Sequence, residues 1–138
     1  SIQTALLMAT MSGVEVNLMF PCKPDHPFVY WATLSYVGEL IMAGANCYTY
    51  DNGFLHAKGL SIDGKACCYG TANMDIRSFA LNFEVNAMIF DQNIAGEMER
   101  IFREDLKCCT RITKEMYKSR SVWIRFKEQI SRLLSPVL

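Results

Sequence analysis

Residues 54–84 read FLHAKGLSIDGKACCYGTANMDIRSFALNFE, and the prediction of the fold starts from this segment. Asp63-Gly64 separates two β-rich runs, which is the arrangement that a tight hairpin turn requires. The first arm of the hairpin is predicted from Phe54 to Ile62 and the second from Lys65 to Tyr69. A further strand is predicted from Phe83 to Phe90, because its mostly apolar side chains are typical of a central strand covered on both faces.

Helices and strands alternate on both sides of this hairpin. Apolar residues at helical spacing stop before Gly13 and before Gly44, and glycine commonly ends a helix. Asp25 is a candidate N-cap, and Pro136 lies beyond the last helix. The other predicted elements are helices over residues 2–12, 30–41, 94–106 and 121–134, and strands over residues 14–20 and 46–50. The pattern therefore predicts an α/β fold with a mixed β-sheet flanked by helices, in a single domain over residues 1–138.

Composition narrows the function classes. Fourteen basic and fourteen acidic residues cancel, so the chain lacks the overall positive charge that favours binding to a nucleic acid backbone. The six cysteines lack metal-ligand spacing, and neighbouring cysteines on a strand point to opposite faces. They are interpreted as reduced thiols, which indicates a domain in or facing the cytosol.

The chain carries no run of eighteen apolar residues, the length that crosses a bilayer. It opens at Ser1 directly into a helical pattern, without an initiator methionine or a signal peptide. The sequence is therefore expected to be a fragment of a longer protein, and the fragment itself to be soluble.

Polar side chains concentrate on the hairpin and the loop after it. His56 and Lys58 are two residues apart, so on a strand they point to the same side. Lys58 and Asn73 offer hydrogen-bond donors and Thr71 a hydroxyl, a set that suits the non-bridging oxygens of a phosphate. A histidine can act as nucleophile or as general acid. Taken singly each residue is more often structural, but together they indicate metal-free attack at phosphorus.

The joint pattern is His56-x-Lys58, then Asp63, then Gly70-Thr71-x-Asn73. It resembles the HKD signature of the phospholipase D superfamily, with threonine in place of the commoner serine. The downstream stretch from Asn73 to Glu84 is similar to bacterial cardiolipin synthases. Further similarity lies at residues 13–21, Asp25-His26, residues 53–58 and residues 131–138.

The resemblance implies one half of a two-lobed fold in which two HKD motifs face each other. One histidine forms a phosphohistidine, and the other protonates the departing alcohol. The first half usually supplies the nucleophile, so His56 is implied as general acid and base. Lys58 and Asn73 are implied to hold the phosphate oxygens with support from Thr71. Glu84 is implied to orient a histidine across the interface, and Asp63 to fix the loop of its own motif.

The implied activity is a phosphatidyltransferase that forms cardiolipin from two phosphatidylglycerol molecules, with no metal and no cofactor. Three alternatives stay open: a hydrolytic phospholipase D or phosphatidylserine synthase, a dimeric single-motif nuclease, and a non-catalytic module that binds anionic lipid. The implied partners are an N-terminal HKD half or a second copy, the phospholipid and a membrane surface, without nucleic acid. The complete enzyme is implied to lie at the cell membrane with this domain facing the cytoplasm, and the isolated fragment to be inactive as a monomer.

The C-terminal helix over residues 121–134 has two interpretations. Its apolar residues fall on one side and arginine and lysine flank them, as in a helix that lies in a membrane interface. A helix that packs its apolar side on the core and solvates the other is the alternative. His26 is interpreted as a residue that lines a loop.

Overall fold

The computed structural model describes residues 2–22 and 27–134. The predictions made for Asp25, His26 and Pro136 lie outside these residues. The elements of the described chain are α1 (Ile2–Met11), β1 (Asn17–Pro21), α2 (Pro27–Ala43), β2 (Asn46–Tyr50), β3 (Gly59–Ile62), β4 (Ala66–Gly70), α3 (Ile76–Ala80), β5 (Asn86–Ile89), α4 (Gln92–Asp105), a 3-10 turn (Leu106–Cys108), β6 (Cys109–Ile112), α5 (Lys114–Lys118) and α6 (Val122–Leu134).

The chain divides into two compact units. The first, called the core unit, comprises residues 1–54 and 109–138, and the second, called the hairpin unit, comprises residues 55–108. Each unit holds a three-stranded sheet, in the orders β1-β2-β6 and β3-β4-β5. The α/β class is therefore confirmed, although the strands form two small sheets where one was expected. The assignment of residues 1–138 to a single domain stays a prediction.

In the core unit, β1 and β2 run parallel and α2 connects them. β6 joins the other edge of β2 in the antiparallel direction, so this sheet is mixed. α2 packs its buried side against the sheet, because parallel strands need a crossover that covers one of their faces. The buried core consists of Phe20, Leu34, Val37, Leu40, Ile41, Ala45 and Cys47.

Both predicted glycine ends are confirmed. Gly13 and Gly44 have φ angles of 88° and 116°, in the left-handed region that residues with a Cβ rarely adopt. After α2, the amide groups of Gly44 and Ala45 both donate to the carbonyl of Leu40. These bonds satisfy the last carbonyls of the helix and turn the chain into β2.

In the hairpin unit, β3, β4 and β5 form an antiparallel sheet, and α4 packs against β3 and β4. The Asp63-Gly64 turn is confirmed, since these residues have φ angles of 50° and 60°. Lys65 donates its amide to the carbonyl of Ile62 to close the turn. Two consecutive positive φ angles match the right-handed twist of the two strands.

Two strand predictions in this unit were wrong. The first arm of the hairpin begins at Gly59 and not at Phe54, so His56 and Lys58 precede the strand. β4 ends at Gly70, whose amide donates to the carbonyl of Lys58, the residue just before β3. The strand predicted from Phe83 to Phe90 is shortened to β5. It lies at the edge of its sheet with exposed side chains, and is not a covered central strand.

The six cysteines are free thiols. Cys47 and Cys67 are almost fully buried and fill the positions of small apolar residues in their units. Burial raises the pKa of Cys47 to about 12. In the described residues, no helix is both long enough and apolar enough to cross a membrane.

Candidate functional site

The segment before β3 carries the histidine and the lysine. His56 is exposed and Lys58 half-buried. The Lys58 ammonium donates to the backbone carbonyl of His56 at 2.9 Å. Because Lys58 leads directly into β3, the ladder of the sheet anchors its backbone while its side chain stays near the histidine segment.

A hydroxyl and a carboxylate meet where β4 ends and β5 begins. The Thr71 hydroxyl donates to Glu84 Oε2 at 2.5 Å. The amide of Val85 donates to Thr71 Oγ1 at 3.0 Å, so the hydroxyl is a donor and an acceptor at once. Asn82 donates its side-chain amide to the other oxygen, Glu84 Oε1, at 3.3 Å. The carboxylate is therefore held through both of its oxygens.

The pKa of Glu84 is lowered, and its causes describe the surroundings of the carboxylate. The hydrogen bond from Thr71 contributes most, and hydrogen bonds from Asn82 and Ser78 act in the same direction. The positive charge of Lys58 also lowers this pKa. Each of these groups stabilises the ionised form, so Glu84 is a carboxylate at neutral pH. Lys58, Thr71 and Glu84 thus share one electrostatic environment.

Asn73 lies two residues beyond Thr71, on the loop before α3. Its backbone N–H donates to the hydroxyl oxygen of the buried Ser78 at 3.2 Å. Asp75 caps α3 by accepting the Ser78 amide at 2.7 Å. α3 was not predicted, and neither was the supporting role of Ser78. Asp75 is a preferred N-cap residue and could have indicated the start of α3, whereas no local signal indicates the role of Ser78.

Gly70 allows the two strands to approach closely at this point. A Cβ on this residue would lie 2.1 Å from the Val85 carbonyl oxygen and 2.2 Å from Asn86 Oδ1. Any side chain would therefore push β5 away from β4. The glycine before Thr71 thus brings the Thr71 hydroxyl within reach of Glu84.

Asp63 lies apart from the other predicted residues. It occupies the turn at the far end of β3 from Lys58. The two positions are five residue steps apart, which corresponds to about 16 Å along the strand. The structure thus brings Lys58, Thr71 and Glu84 together beside the His56 and Asn73 segments, and leaves Asp63 at the opposite end of the hairpin.

The arrangement combines a histidine, a cation and an ionised carboxylate at one end of a hairpin. Such a set can transfer a proton and neutralise the oxygens of a phosphodiester. The H-x-K segment, the hairpin and the G-T-x-N loop are the features that resemble the HKD signature, and they indicate the PLD-like class of domains.

Sequence comparison identifies the family within that class. The family model described as "Cardiolipin synthase, PLD-like domain" matches residues 1–106. The match covers more than half of the chain, and the chain therefore belongs to this family.

Curated relatives agree with that assignment. The chain is 55% identical over all 138 residues to a cardiolipin synthase of Oceanobacillus iheyensis. It is 56% identical over the same length to the major cardiolipin synthase ClsA of Bacillus subtilis. It covers 29% of the length of each of these two proteins. A cardiolipin synthase 1 of Staphylococcus epidermidis is 55% identical over 134 residues, and the match covers 27% of the length of that protein. The chain thus spans less than a third of the length of these relatives.

Proposed function

We propose that this chain supplies the second HKD motif of an enzyme that condenses two phosphatidylglycerol molecules into cardiolipin and glycerol. The observation that carries the proposal is the cluster in which Lys58, Thr71 and Glu84 lie together beside His56. Cardiolipin synthase family membership selects the reaction from those that a PLD-like site supports.

The first step forms a bond between phosphorus and a nucleophilic histidine of the other HKD motif. The bond between phosphorus and the oxygen of the departing glycerol breaks, and His56 gives its proton to that oxygen. The product is a phosphatidyl-histidine and free glycerol. His56 is left neutral, with a lone pair available for the next step.

In the second step, His56 removes a proton from a hydroxyl of the second phosphatidylglycerol. The oxygen of that hydroxyl attacks phosphorus, and the bond from phosphorus to the nucleophilic histidine breaks. His56 is again protonated, so the enzyme returns to its starting state. The choice of an alcohol in place of water at this step separates synthesis from hydrolysis.

The remaining residues act on charge and position. Lys58 and Asn73 bind the non-bridging phosphate oxygens, whose negative charge increases in the transition state. Glu84 orients a histidine across the interface. Thr71 acts through Glu84, because its hydroxyl already donates to that carboxylate. Asp63 holds the turn of its own motif.

The second histidine comes from an N-terminal HKD half of the same protein or from a second copy. The exposed apolar side chains of the hairpin unit support such a partner, since a patch of this kind is commonly covered in a complete protein. The patch comprises Phe79, Leu81, Phe83 and Val85. The 138-residue chain alone is accordingly expected to be inactive as a monomer, and the complete enzyme to act at the cell membrane with this domain on the cytoplasmic side.

The roles of His56 and Lys58 are separated by changing the leaving group in the full-length enzyme. With phosphatidylglycerol, His56→Asn should slow formation of the phosphohistidine strongly, because the glycerol oxygen leaves poorly without a proton. With a nitrophenyl ester of phosphatidic acid as substrate, the same variant should lose much less of this rate, since nitrophenolate needs little protonation as it leaves. Lys58→Ala should lose about a hundredfold or more with both substrates.

The measurement is the rate and amplitude of the single-turnover burst, with Lys65→Ala as the matched control. Lys65 is an exposed lysine of the same hairpin, and its removal should leave both bursts unchanged. Equal loss of the phosphoenzyme from both substrates in His56→Asn would identify His56 as the nucleophile and reverse the two roles. Unchanged rates in Lys58→Ala would show that Lys58 does not bind the phosphate oxygens.

A further inference from the structure

The helix α6 packs with its polar side inward. Glu128 and Ser131 are 2% and 1% exposed, and Ile124 beside them is half-buried. These residues are spaced by four and by three, so they form one stripe of the helix. The stripe faces α2, the element with which α6 makes most of its contacts.

Two ion pairs hold this polar stripe and its surroundings. Glu128 is paired with Arg120, whose guanidinium lies 3.2 Å from the centre of the Tyr117 ring. Arg132 is paired with Glu39 of α2. Charged hydrogen bonds therefore hold Glu128 and Arg132 against their partners and stabilise the inward orientation of α6.

The apolar side of α6 consequently faces solvent. The rings of Trp123 and Phe126 form an edge-to-face pair with centres 6.3 Å apart, and both are largely exposed. We call the outward set the α6 stripe; its members share one side of the helix and comprise Val122, Trp123, Phe126, Ile130 and Leu133. This orientation contradicts the interpretation of α6 as a core-packing helix with a solvated polar face.

The charges that α6 presents to solvent are positive. Arg125 and Lys127 lie on the two flanks of the α6 stripe, about 100° from its centre at 3.6 residues per turn. Both residues are exposed; Arg125 also donates to the Lys118 carbonyl, and Lys127 Nζ lies 5.5 Å from the centre of the Trp31 ring. The one acidic residue between Val122 and Leu134 is Glu128, which is buried and paired. Long basic side chains beside an apolar stripe can reach lipid phosphates while the stripe enters the acyl region.

We infer that the α6 stripe docks on the surface of an anionic phospholipid bilayer. The inference rests on the geometry and charge of α6 and does not require the proposed reaction. An exposed tryptophan and phenylalanine between two basic flanks suit the headgroup boundary, where one side of the helix is apolar and the other is wet. The helix lies along the bilayer surface and does not cross it.

The test uses the 138-residue chain and vesicles of phosphatidylcholine with or without phosphatidylserine. Phosphatidylserine is chosen because it supplies anionic charge without being the proposed substrate. The chain should bind the phosphatidylserine vesicles in a flotation assay, and binding should weaken with salt. Trp123 emission should shift to the blue and be quenched by brominated acyl chains. Trp123→Phe, which keeps only Trp31, should lose that quenching.

Two matched pairs of variants locate the binding surface. Phe126→Gln should weaken partitioning about tenfold or more, whereas Phe90→Gln, at an exposed position of the hairpin unit, should change it less than about twofold. The double change Arg125→Gln and Lys127→Gln should also weaken binding about tenfold or more. Lys65→Gln with Lys107→Gln removes the same charge elsewhere and should have a smaller effect, and Arg125→Lys should bind as the parent does. Thermal unfolding checks that each variant is folded.

Three results would overturn the inference. Equal losses in Phe126→Gln and Phe90→Gln would show general adhesion of exposed apolar residues. Absence of acyl-chain quenching of Trp123 would show that α6 stays outside the bilayer. A dimer that Phe126→Gln dissociates, measured by light scattering, would show that a second copy occupies the α6 stripe.

Discussion

The core unit and the hairpin unit differ in what they bury. The core unit encloses a continuous apolar cluster between α2 and its sheet, with Ile41 2% exposed and Cys47 fully buried. Among the residues whose burial the structure describes, those buried in the hairpin unit are small: Cys67, Ala72, Ser78 and Ala95. Many of its large apolar side chains are exposed, and Phe83 is fully exposed.

This difference separates stability from chemistry. A site that binds a phosphodiester needs accessible polar groups, and the hairpin unit holds Lys58, Thr71 and Glu84 on its loops with hydrogen bonds in place of an apolar core. Hydrogen bonds exposed to water contribute less to stability than the burial of large side chains. We therefore expect the hairpin unit to open at lower free energy than the core unit.

Thiol labelling provides the largest contrast. At pH 8 a thiol with a pKa of about 12 is ionised about a thousandfold less than an ordinary cysteine. Cys47 should therefore react with a maleimide at least about a thousandfold more slowly than the exposed Cys108. With rising urea, Cys67 of the hairpin unit should become reactive before Cys47 of the core unit.

Tandem mass spectrometry of the labelled peptides assigns each site. Cys109, which is half-buried beside Cys108, serves as the reference of intermediate access. Simultaneous exposure of Cys67 and Cys47 would show that the two units unfold together, and the proposed difference in stability would be wrong.

Core truncation gives the next largest effect. Leu34 is 8% exposed within the apolar cluster, so Leu34→Ala should lower the free energy of unfolding by about 2–5 kcal/mol. Phe83→Ser removes a larger side chain from the hairpin unit, yet should change this free energy by less than about 0.5 kcal/mol because the ring is exposed. Urea denaturation of the 138-residue chain measures both. A loss in Phe83→Ser comparable with that in Leu34→Ala would show that Phe83 is packed in solution.

The smallest effect concerns the carboxylate of the site. Thr71→Val removes the hydroxyl that lowers the pKa of Glu84 most, so the pKa should rise toward its ordinary value of 4.5. Thr71→Ser keeps a hydroxyl and should keep the lowered pKa. Carbon-13 NMR of the glutamate carboxyl carbons during an acid titration measures the change.

The lowered pKa of Glu84 also determines how the stability of the protein changes with pH. A lowered pKa in the folded state stabilises the protein above the unfolded pKa, and this contribution is lost as the pH falls through the folded pKa. The stability difference between the parent and Thr71→Val should therefore shrink below about pH 4.5. An unchanged Glu84 pKa in Thr71→Val would show that the hydrogen bond from Thr71 is absent in solution.

Local sequence signals predicted the elements whose cause is local. Gly13 and Gly44 end helices, and Asp63-Gly64 forms the hairpin turn, because each needs a positive φ that few residue types adopt. The H-x-K and G-T-x-N spacings likewise identified the family, which the comparisons confirm. The short helices α3 and α5 were not predicted, because five residues are too few to show a helical periodicity.

The predictions of strand limits and strand positions were wrong where these depend on contacts between residues far apart in the chain. His56 was expected on a strand, but the pairing of β3 with β4 begins at Gly59, after His56. β5 was expected in the centre of a sheet because it is apolar, but an apolar strand at an edge has the same sequence pattern. β6 is a strand because it pairs with β2. The hydrogen bond from Thr110 to Asp51 beside this pairing joins residues that are 59 positions apart.

The α/β class, the hairpin with its turn, and the family could be predicted from the residues alone, because these depend on residue type and short spacing. The folded chain was needed to show that Thr71 holds Glu84 near Lys58 while Asp63 lies at the other end of β3. It was also needed to show which side of α6 faces outward, because an amphipathic pattern gives two sides but not their direction. The pairing of Glu128 with Arg120 and of Arg132 with Glu39, contacts that span up to 93 positions of the chain, stabilises that direction.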